Sequence, residues 1–152
     1  DEEGWIESWL YECKKSLKVY CYELGPKDTP EKPPRKDWQF AATHCKRLGY
    51  REIDGMTYTM VQFQLETGRK NQIRTHSQWI GHPVAGDRKY GAEHSNEKFR
   101  REYGLSNQFL HALRVEWNEK DGPMGYLYGK EMTAPLPKTL QDICDGLFGK
   151  CE

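Results

Sequence analysis

The sequence lacks the features that mark several common classes of protein. Over 152 residues it has no apolar run near the roughly 18 residues of a membrane-spanning helix, no signal-peptide pattern and no N-x-S/T glycosylation site. It also has no internal repeat and no low-complexity segment. Its formal net charge is zero, so no overall basic field attracts nucleic acid. These absences argue against a membrane protein, a secreted glycoprotein and a repeat protein.

Paired cysteines are also missing. The chain has five cysteines, an odd number at irregular spacing and without a C-x-x-C pair: Cys13, Cys21, Cys45, Cys144 and Cys151. This pattern argues against a disulfide framework and against a zinc site. We therefore expect reduced thiols and no metal, and an intracellular reducing compartment, either the cytoplasm or an organelle matrix.

What remains is a polar globular composition. Hydrophobic residues make up 36% of the chain and charged residues 30%, which suffices for one modest core and predicts a single domain or a large piece of one. The sequence begins Asp1-Glu2-Glu3 without an initiator methionine. We expect it to be a fragment, a processed product or a trimmed form.

Strand patterns dominate the chain. Residues 5–11 fit either an edge strand or a short helix, and Asp54-Gly55 is a strong hairpin signal. Further strands are predicted at residues 17–24, 40–48, 56–66, 108–117 and 126–133, and helices at 71–80, 95–103 and 137–148. In the first helix Ile73, Ser77 and Ile80 share one face, and Ser95 or Asn96 caps the second. A proline-rich loop is predicted at 25–36. The predicted fold class is α+β, with a mostly antiparallel mixed sheet and a few helices.

The middle of the chain is basic although the whole is neutral. The segment between Thr67 and Arg101 contains three acidic residues and eight basic ones, the basic residues being Arg69, Lys70, Arg74, Arg88, Lys89, Lys98, Arg100 and Arg101. A basic middle between acidic flanks predicts one positive face. A solvated charged surface without a ligand would give the same pattern.

Three of these cations lie close to a predicted helix start. Thr67-Gly68 ends a strand, and the glycine lets backbone N–H groups approach a ligand. Cations at a helix N-terminus disfavour the helix by about 0.3–1 kcal/mol each, so Arg69, Lys70 and Arg74 indicate an anion nearby. That anion is either a phosphate of RNA or a carboxylate from elsewhere in the same protein, unless the cluster is ordinary helix surface.

Four motifs in order now suggest a family. LETGRKNQIRTH is followed by IGHPVAGDRKYG, then by residues 109–112 (FLHA) and 133–137 (TAPLP). Together they resemble the RluA-type RNA pseudouridine synthases, which show T-G-R-x-H-Q-[IL]-R-x-H, G-[HC]-P-[IV]-x-G-D-x-x-Y-G, L-L-H-A and A-P-L-P. The resemblance spans residues 67–137 and extends weakly back to about Gly4. One residue departs from it, because Asn71 stands where the family usually has histidine.

The resemblance implies an isomerase that converts uridine in RNA to pseudouridine without a metal or an organic cofactor. The target base leaves its stack and enters a pocket, and an aspartate acts at the sugar. Arg74 would be the catalytic residue present here, pairing with that aspartate and holding it ionised. Further candidates would contact the RNA: Arg69, Lys70, Asn71, Gln72, His76, His82, Arg88, Lys89 and Tyr90. Gly81-His82-Pro83 and Gly86-Asp87 are interpreted as structural turns, with Asp87 as a cap or turn acceptor.

The family's catalytic aspartate, in H-R-L-D-x-x-[ST]-S-G, has no counterpart here. Asp54 is the nearest lookalike, but it lies in the predicted hairpin turn and lacks the flanking residues. We therefore expect the chain to be the C-terminal portion of a pseudouridine synthase catalytic domain, with the upstream half of that domain as a partner beside rRNA or tRNA. The alternative is a catalytically silent relative that binds RNA in ribosome assembly or as a ribosome component.

Overall fold

A computed structural model of the protein describes residues 2–149. The described chain forms two compact units that divide between Gln108 and Phe109. Three α-helices and six strands are described, and every strand pair is antiparallel. The predicted α+β class is therefore confirmed. No helix within residues 2–149 has the length and apolar content that crossing a membrane requires.

The first unit is built on a four-stranded sheet in the order β2-β1-β3-β4. Its strands are β1 (Glu3–Cys13), β2 (Lys18–Tyr22), β3 (Gln39–Ile53) and β4 (Met56–Leu65). The predicted turn at Asp54-Gly55 joins β3 to β4, and both residues have the positive φ that this two-residue hairpin requires, 53° and 73°. Residues 25–36 contain no strand or helix longer than an isolated bridge, as the prolines predict.

Strand β1 lies inside the sheet rather than at its edge. It pairs with β3 over Glu3–Leu10 and with β2 over Trp9–Cys13. Its side chains are buried on both faces, with Ser8 and Leu10 on one and Trp9 on the other. The sequence did not identify β1 as an inner strand, because its mixed aromatic and acidic residues lack the polar–apolar alternation of a strand with one solvent-exposed face.

Helix α1 (Gln72–Trp79) follows β4 where a helix was predicted, but it buries a different face. The sequence suggested an apolar face of Ile73, Ser77 and Ile80. The structure instead buries a mainly polar set: Gln72, Thr75, His76 and Ser77. Ile80 and the neighbouring Trp79 are exposed. The predicted face was wrong because hydrogen bonds to the sheet, and not apolar contacts, decide how this helix docks.

Helix α2 (Glu93–Tyr103) packs on the β3–β4 hairpin. The Phe99 ring meets the Tyr58 ring edge-on with centroids 5.1 Å apart, and Phe99 is buried. Either Ser95 or Asn96 was predicted to cap this helix, but both lie within it, and its N-cap is Ala92. The Asn96 side chain has another function, described below.

The second unit contains a small hairpin and a helix. Strands β5 (Arg114–Glu116) and β6 (Glu131–Thr133) are three residues each, much shorter than predicted. His111 hydrogen-bonds to the carbonyl of Ala134 at 2.9 Å, which satisfies that ring nitrogen and joins two of the four motifs. Helix α3 (Lys138–Phe148) confirms the predicted helix, with Ile143, Cys144 and Leu147 buried. Cys151 lies outside the described residues.

Candidate functional site

The segment between β4 and α1 runs along an edge of β3. Strand β4 stops opposite Thr43, so the backbone of β3 beyond that point needs other partners. The Thr67 hydroxyl accepts the Ala42 N–H at 3.0 Å, and the Arg69 Nε donates to the Phe40 carbonyl at 3.1 Å. This pairing fixes the start of α1 against the sheet.

Gln72 holds this segment together from inside. Its Nε2 donates to the Ala42 carbonyl and the Thr43 hydroxyl, both at 2.9 Å. Its Oε1 accepts the Thr67 hydroxyl at 2.8 Å and the Arg69 N–H at 2.9 Å. All four hydrogen bonds of the amide are thus made within the protein. Gln72 was predicted to contact RNA; in this structure its side chain is buried and its amide hydrogen bonds are all made to the protein.

His76 and Tyr90, also predicted to contact RNA, are buried as well. The His76 ring lies between the hydroxyls of Ser8 and Thr43, each 2.9 Å from a ring nitrogen. The Tyr90 hydroxyl accepts the Val19 N–H at 2.9 Å. Neither side chain is more than 1% exposed, so in this structure both position the surrounding elements.

The environment of His76 makes stability depend on pH. Burial lowers its pKa from 6.5 to about 4, because the hydrogen bonds to two hydroxyls do not replace the hydration that a charged imidazolium loses when it is buried. Below pH 6.5 the unfolded chain takes up the proton and the folded protein does not. The free energy of unfolding should therefore fall by up to about 3 kcal/mol between pH 6.5 and 4 and lose nothing more from His76 below that.

Urea unfolding across that pH range tests this prediction. The His76→Gln variant should lack the His76 part of the slope, whereas a His94→Gln variant on the exposed surface of α2 should behave like the wild type. Equal slopes in all three proteins would contradict the prediction.

Asn71 precedes α1 in a left-handed conformation, with φ 55° and ψ 21°. Asparagine and histidine are among the residues that adopt this conformation most readily, so the departure from the family's histidine keeps the backbone geometry. The Asn71 Oδ1 accepts a hydrogen bond from Arg74 Nη1 at 3.0 Å, and its Nδ2 donates to the Tyr90 hydroxyl at 3.4 Å. Asn71 thus connects the arginine to the following loop.

Arg74 forms a two-pronged ion pair with Asp87. Its Nε lies 2.6 Å from Oδ2 and its Nη2 lies 2.8 Å from Oδ1. The sequence interpretation gave Arg74 a carboxylate that this chain does not contain; the structure shows that Asp87 already occupies one side of the guanidinium. With Asn71, three of the five N–H donors are used, which leaves two without a partner among residues 2–149.

Asp87 is a structural carboxylate at the centre of its turn. Its Oδ1 also accepts the backbone N–H groups of Lys89 at 2.9 Å and Tyr90 at 3.0 Å. Burial alone would raise its pKa, but the hydrogen bonds from Arg74, Tyr90 and Lys89 outweigh burial and lower the pKa. Asp87 is therefore ionised at neutral pH and serves as the predicted turn acceptor.

The rest of the turn is fixed by a glycine and an asparagine. Gly86 has φ 75°, and a Cβ there would lie 2.2 Å from the Asn107 carbonyl oxygen, so only glycine fits. Asn96 of α2 accepts the Gly86 N–H and donates to the Asp87 carbonyl, both at 2.8 Å. The Gly-Asp turn, α1 and α2 thus form one hydrogen-bonded assembly around Arg74.

The exposed cations border this assembly. Five of the predicted RNA contacts are exposed: Arg69, Lys70, His82, Arg88 and Lys89. Lys70 forms an ion pair with Glu12, and the Lys89 Nζ donates to the Leu17 carbonyl at 2.5 Å. Both contacts are with the β1–β2 hairpin.

Sequence analysis missed the lysines that the β1–β2 hairpin brings to this surface. Lys14 and Lys15 lie in its turn and Lys18 begins β2. Lys14 lines a depression of about 380 Å³ together with Arg69 and Lys70. The run KKSLK between two strand patterns was the available signal.

No group of three or more histidine, cysteine, aspartate and glutamate side chains within residues 2–149 is arranged to hold a metal ion. The polar groups that converge are hydrogen-bond donors and cations. Such a surface can orient a carboxylate and bind phosphates.

Comparison with known proteins gives a consistent set of relatives, although no family model matches. The chain is 36% identical over 127 residues to an uncharacterized RNA pseudouridine synthase of Chloroflexus aurantiacus, which covers 80% of this chain and 37% of that protein. It is 44% identical over 90 residues to ribosomal large subunit pseudouridine synthase C of Pasteurella multocida, covering 59% and 26%. It is 32% identical over 121 residues to tRNA pseudouridine synthase C of Vibrio vulnificus, covering 75% and 48%. The chain thus spans a quarter to a half of these relatives.

A solved structure shares the fold. Human RNA Pseudouridylate Synthase Domain Containing 1 matches with a TM-score of 0.50 and 21% identity, over 64% of this chain and 38% of that one. At this identity the match concerns the fold.

Proposed function

This chain belongs to the RluA-type RNA pseudouridine synthase family, and from that premise we propose that it is the C-terminal portion of a catalytic domain that isomerises uridine to pseudouridine in RNA. The relatives support this, because the chain spans 37% of the Chloroflexus aurantiacus protein and 48% of the Vibrio vulnificus protein. The upstream half of the domain supplies the catalytic aspartate, and rRNA or tRNA is the substrate.

The observation that carries the proposal is the arrangement around Arg74. Asp87 binds the Nε and Nη2 of the guanidinium and Asn71 binds its Nη1, so one N–H donor on Nη1 and one on Nη2 are left for a further acceptor. The Arg74 side chain is 19% exposed, so part of it remains accessible. A second carboxylate there accepts charge-assisted hydrogen bonds that fix its orientation.

Asp87 changes what Arg74 contributes to the reaction. Because the guanidinium already has a counter-ion, its net attraction for the catalytic carboxylate is smaller than that of an unpaired arginine. Its main contribution is positional: a planar guanidinium clamped at three nitrogens points its remaining donors in a fixed direction. The isomerisation breaks the C1′–N1 bond and joins C1′ to C5, so the aspartate must be held at the sugar throughout.

Binding of the RNA is assigned to the exposed cations around this centre. Arg69 and Lys70 lie at the start of α1, and Arg88 and Lys89 follow Asp87 in the turn. Each can contact a phosphate, which accounts for a basic surface on a chain of zero net charge. His82 is exposed in the loop after α1 and belongs to the same group.

Pseudouridine mapping tests the function. Incubated alone with rRNA and tRNA transcripts, the chain should form no pseudouridine; joined to the rest of its natural polypeptide, it should form pseudouridine if an H-R-L-D motif lies upstream. Turnover by the chain alone would refute its assignment as a portion. An upstream sequence without the motif, together with RNA binding and no turnover, would instead support the silent RNA-binding relative.

Arg69→Ala with Lys70→Ala tests the position of the RNA surface. Loss of two phosphate contacts should weaken RNA binding and reduce the slope of log affinity against log salt by about 2. The control is Arg100→Ala with Arg101→Ala on α2, which removes the same charge from another exposed position. Fluorescence anisotropy across a salt series measures both. Equal effects of the two double variants would place the RNA elsewhere.

The proposal includes a reducing compartment, the cytoplasm or an organelle matrix. The support is the cysteine pattern of the sequence, an odd number at irregular spacing without a C-x-x-C pair.

A further inference from the structure

The sheet face opposite α1 carries a row of aromatic side chains, two of which are exposed. Helix α1 covers the face to which Ser8 and Thr43 point, since His76 bonds both. Side chains alternate along a strand, so Trp9 and Tyr11 point away from that helix. The register sets Tyr11 opposite Tyr20 and Trp9 opposite Tyr22.

Trp38, just before β3, extends this row. We call Tyr11, Tyr20, Tyr22 and Trp38 the aromatic face. The Tyr22 and Trp38 rings are stacked, with centroids 4.2 Å apart and planes 17° from parallel. The Arg35 guanidinium lies 5.5 Å from the Trp38 ring, and the Lys18 Nζ lies 5.8 Å from the Tyr20 ring. A cation thus lies beside the ring at each end of the row formed by Tyr20, Tyr22 and Trp38.

Sheet stability accounts for only part of this arrangement. Trp9 is buried, and its Nε1 donates to Asp28 at 2.7 Å, so it serves the fold. Tyr20 and Tyr22 are 40% and 39% exposed, although they sit in the sheet beside a buried core. Part of each ring is therefore in contact with solvent, and that part does not contribute to the packing of the sheet.

The charge around the aromatic face selects one kind of ligand. Lys15 lies at its hairpin turn, Lys18 at its edge and Arg35 against Trp38. Asp28, the acid that contacts Trp9 on this face, already accepts the Trp9 Nε1–H and the Gly25 N–H. A ligand that is planar, anionic and extended can stack on the rings and pair with the cations, whereas a basic or neutral peptide can contact only the rings.

We propose that the aromatic face binds unpaired nucleotides of RNA, with bases stacked on Tyr20 and Tyr22 and phosphates on the surrounding lysines and Arg35. Stacking on aromatic side chains is how proteins hold single strands without reading their sequence. The inference rests on the proposed function for the identity of the ligand as RNA, and it adds a second contact region.

This region adjoins the first. Arg69 donates to the carbonyl of Phe40, two residues after Trp38 on β3. A strand of RNA bound by Arg69 therefore reaches the aromatic face within a few nucleotides. The aromatic face thus holds single-stranded RNA that flanks the target uridine, while the Arg74 centre holds the target itself.

The test compares RNA with bases and RNA without them. A fluorescein-labelled oligouridine of ten nucleotides and an abasic oligonucleotide of the same length carry the same phosphates. The wild-type chain should bind oligouridine at least tenfold more tightly than the abasic strand. Tyr20→Leu with Tyr22→Leu should weaken oligouridine binding at least tenfold and leave abasic binding unchanged.

Tyr50→Leu provides the matched control. Tyr50 is an exposed tyrosine on β3 with the Arg47 guanidinium 5.5 Å from its ring, but it lies outside the aromatic face. It should bind oligouridine like the wild type. Circular dichroism and thermal unfolding establish that the variants are folded.

Several outcomes would overturn the proposal. Equal affinity of the wild type for the two oligonucleotides would show contact with the backbone only, and equal effects of Tyr50→Leu and the double variant would show no dedicated face. Binding of neither oligonucleotide at low salt would indicate that another molecule, such as a protein, covers these rings. None of these results depends on turnover, so a failure to form pseudouridine would count against the proposed function and leave this comparison valid.

Discussion

Replacing Asp87 with asparagine is expected to lower the free energy of unfolding by about 3–5 kcal/mol, because it leaves Arg74 partly buried without its counter-ion. Asp87 is 0% exposed and its carboxylate meets two nitrogens of Arg74. An amide of the same shape can accept from one of them at most and turns a donor toward the other. The backbone N–H groups of Lys89 and Tyr90 also lose a charged acceptor.

Asp142→Asn gives the matched control for Asp87→Asn. Asp142 pairs with Lys138 one helical turn away, but both side chains are exposed. Exposed pairs of this spacing contribute about 0.3–0.5 kcal/mol, so the control should unfold almost as the wild type does. Chemical denaturation measures both variants. A loss below 1 kcal/mol at Asp87 would mean that the turn does not depend on the ion pair.

Gln72→Leu is expected to cost about 3 kcal/mol, because it removes four internal hydrogen bonds from a buried position. The Ala42 carbonyl loses the amide donor without gaining water. Backbone hydrogen exchange at Arg69 should become faster, because its N–H loses its acceptor.

Gln78→Leu is the control for Gln72→Leu. It makes the same change of side chain six residues later in the same helix, where the glutamine is exposed, and should alter stability by less than about 0.5 kcal/mol. Urea unfolding gives the free energies, and exchange followed by NMR gives the local effect. If both variants cost the same, the buried amide would not be what secures α1.

The sequence predicted the elements of the first unit well where local signals were strong. Asp54-Gly55 specified its hairpin, and the alternation over residues 56–66 specified β4. It failed at α1, where apolar spacing suggested Ile73 and Ile80 as the inner face. The helix instead turns its amide and imidazole inward, because the Ala42 carbonyl at the edge of β3 and the hydroxyls of Ser8 and Thr43 offer polar partners that no local pattern reveals.

The candidate site was predictable in its residue types but not in its pairings. The motif around residues 69–74 marked Arg74, and the Gly-Asp turn marked Asp87, yet the two lie thirteen positions apart in the chain. No local sequence pattern predicts that these two side chains form an ion pair. Likewise, Gln72, His76 and Tyr90 look like ligand-binding side chains in a sequence, and only burial identifies them as the interior supports of the site.

The hydrogen bond from Val19 to Tyr90 has a consequence for how copies of this protein interact. Strand β2 is an outer strand of its sheet, and outer strands present free N–H groups with which a neighbouring chain can pair. The Tyr90 hydroxyl occupies one of those groups. The loop that builds the arginine site therefore also blocks strand addition at β2, and until that loop has folded the edge is open to aggregation.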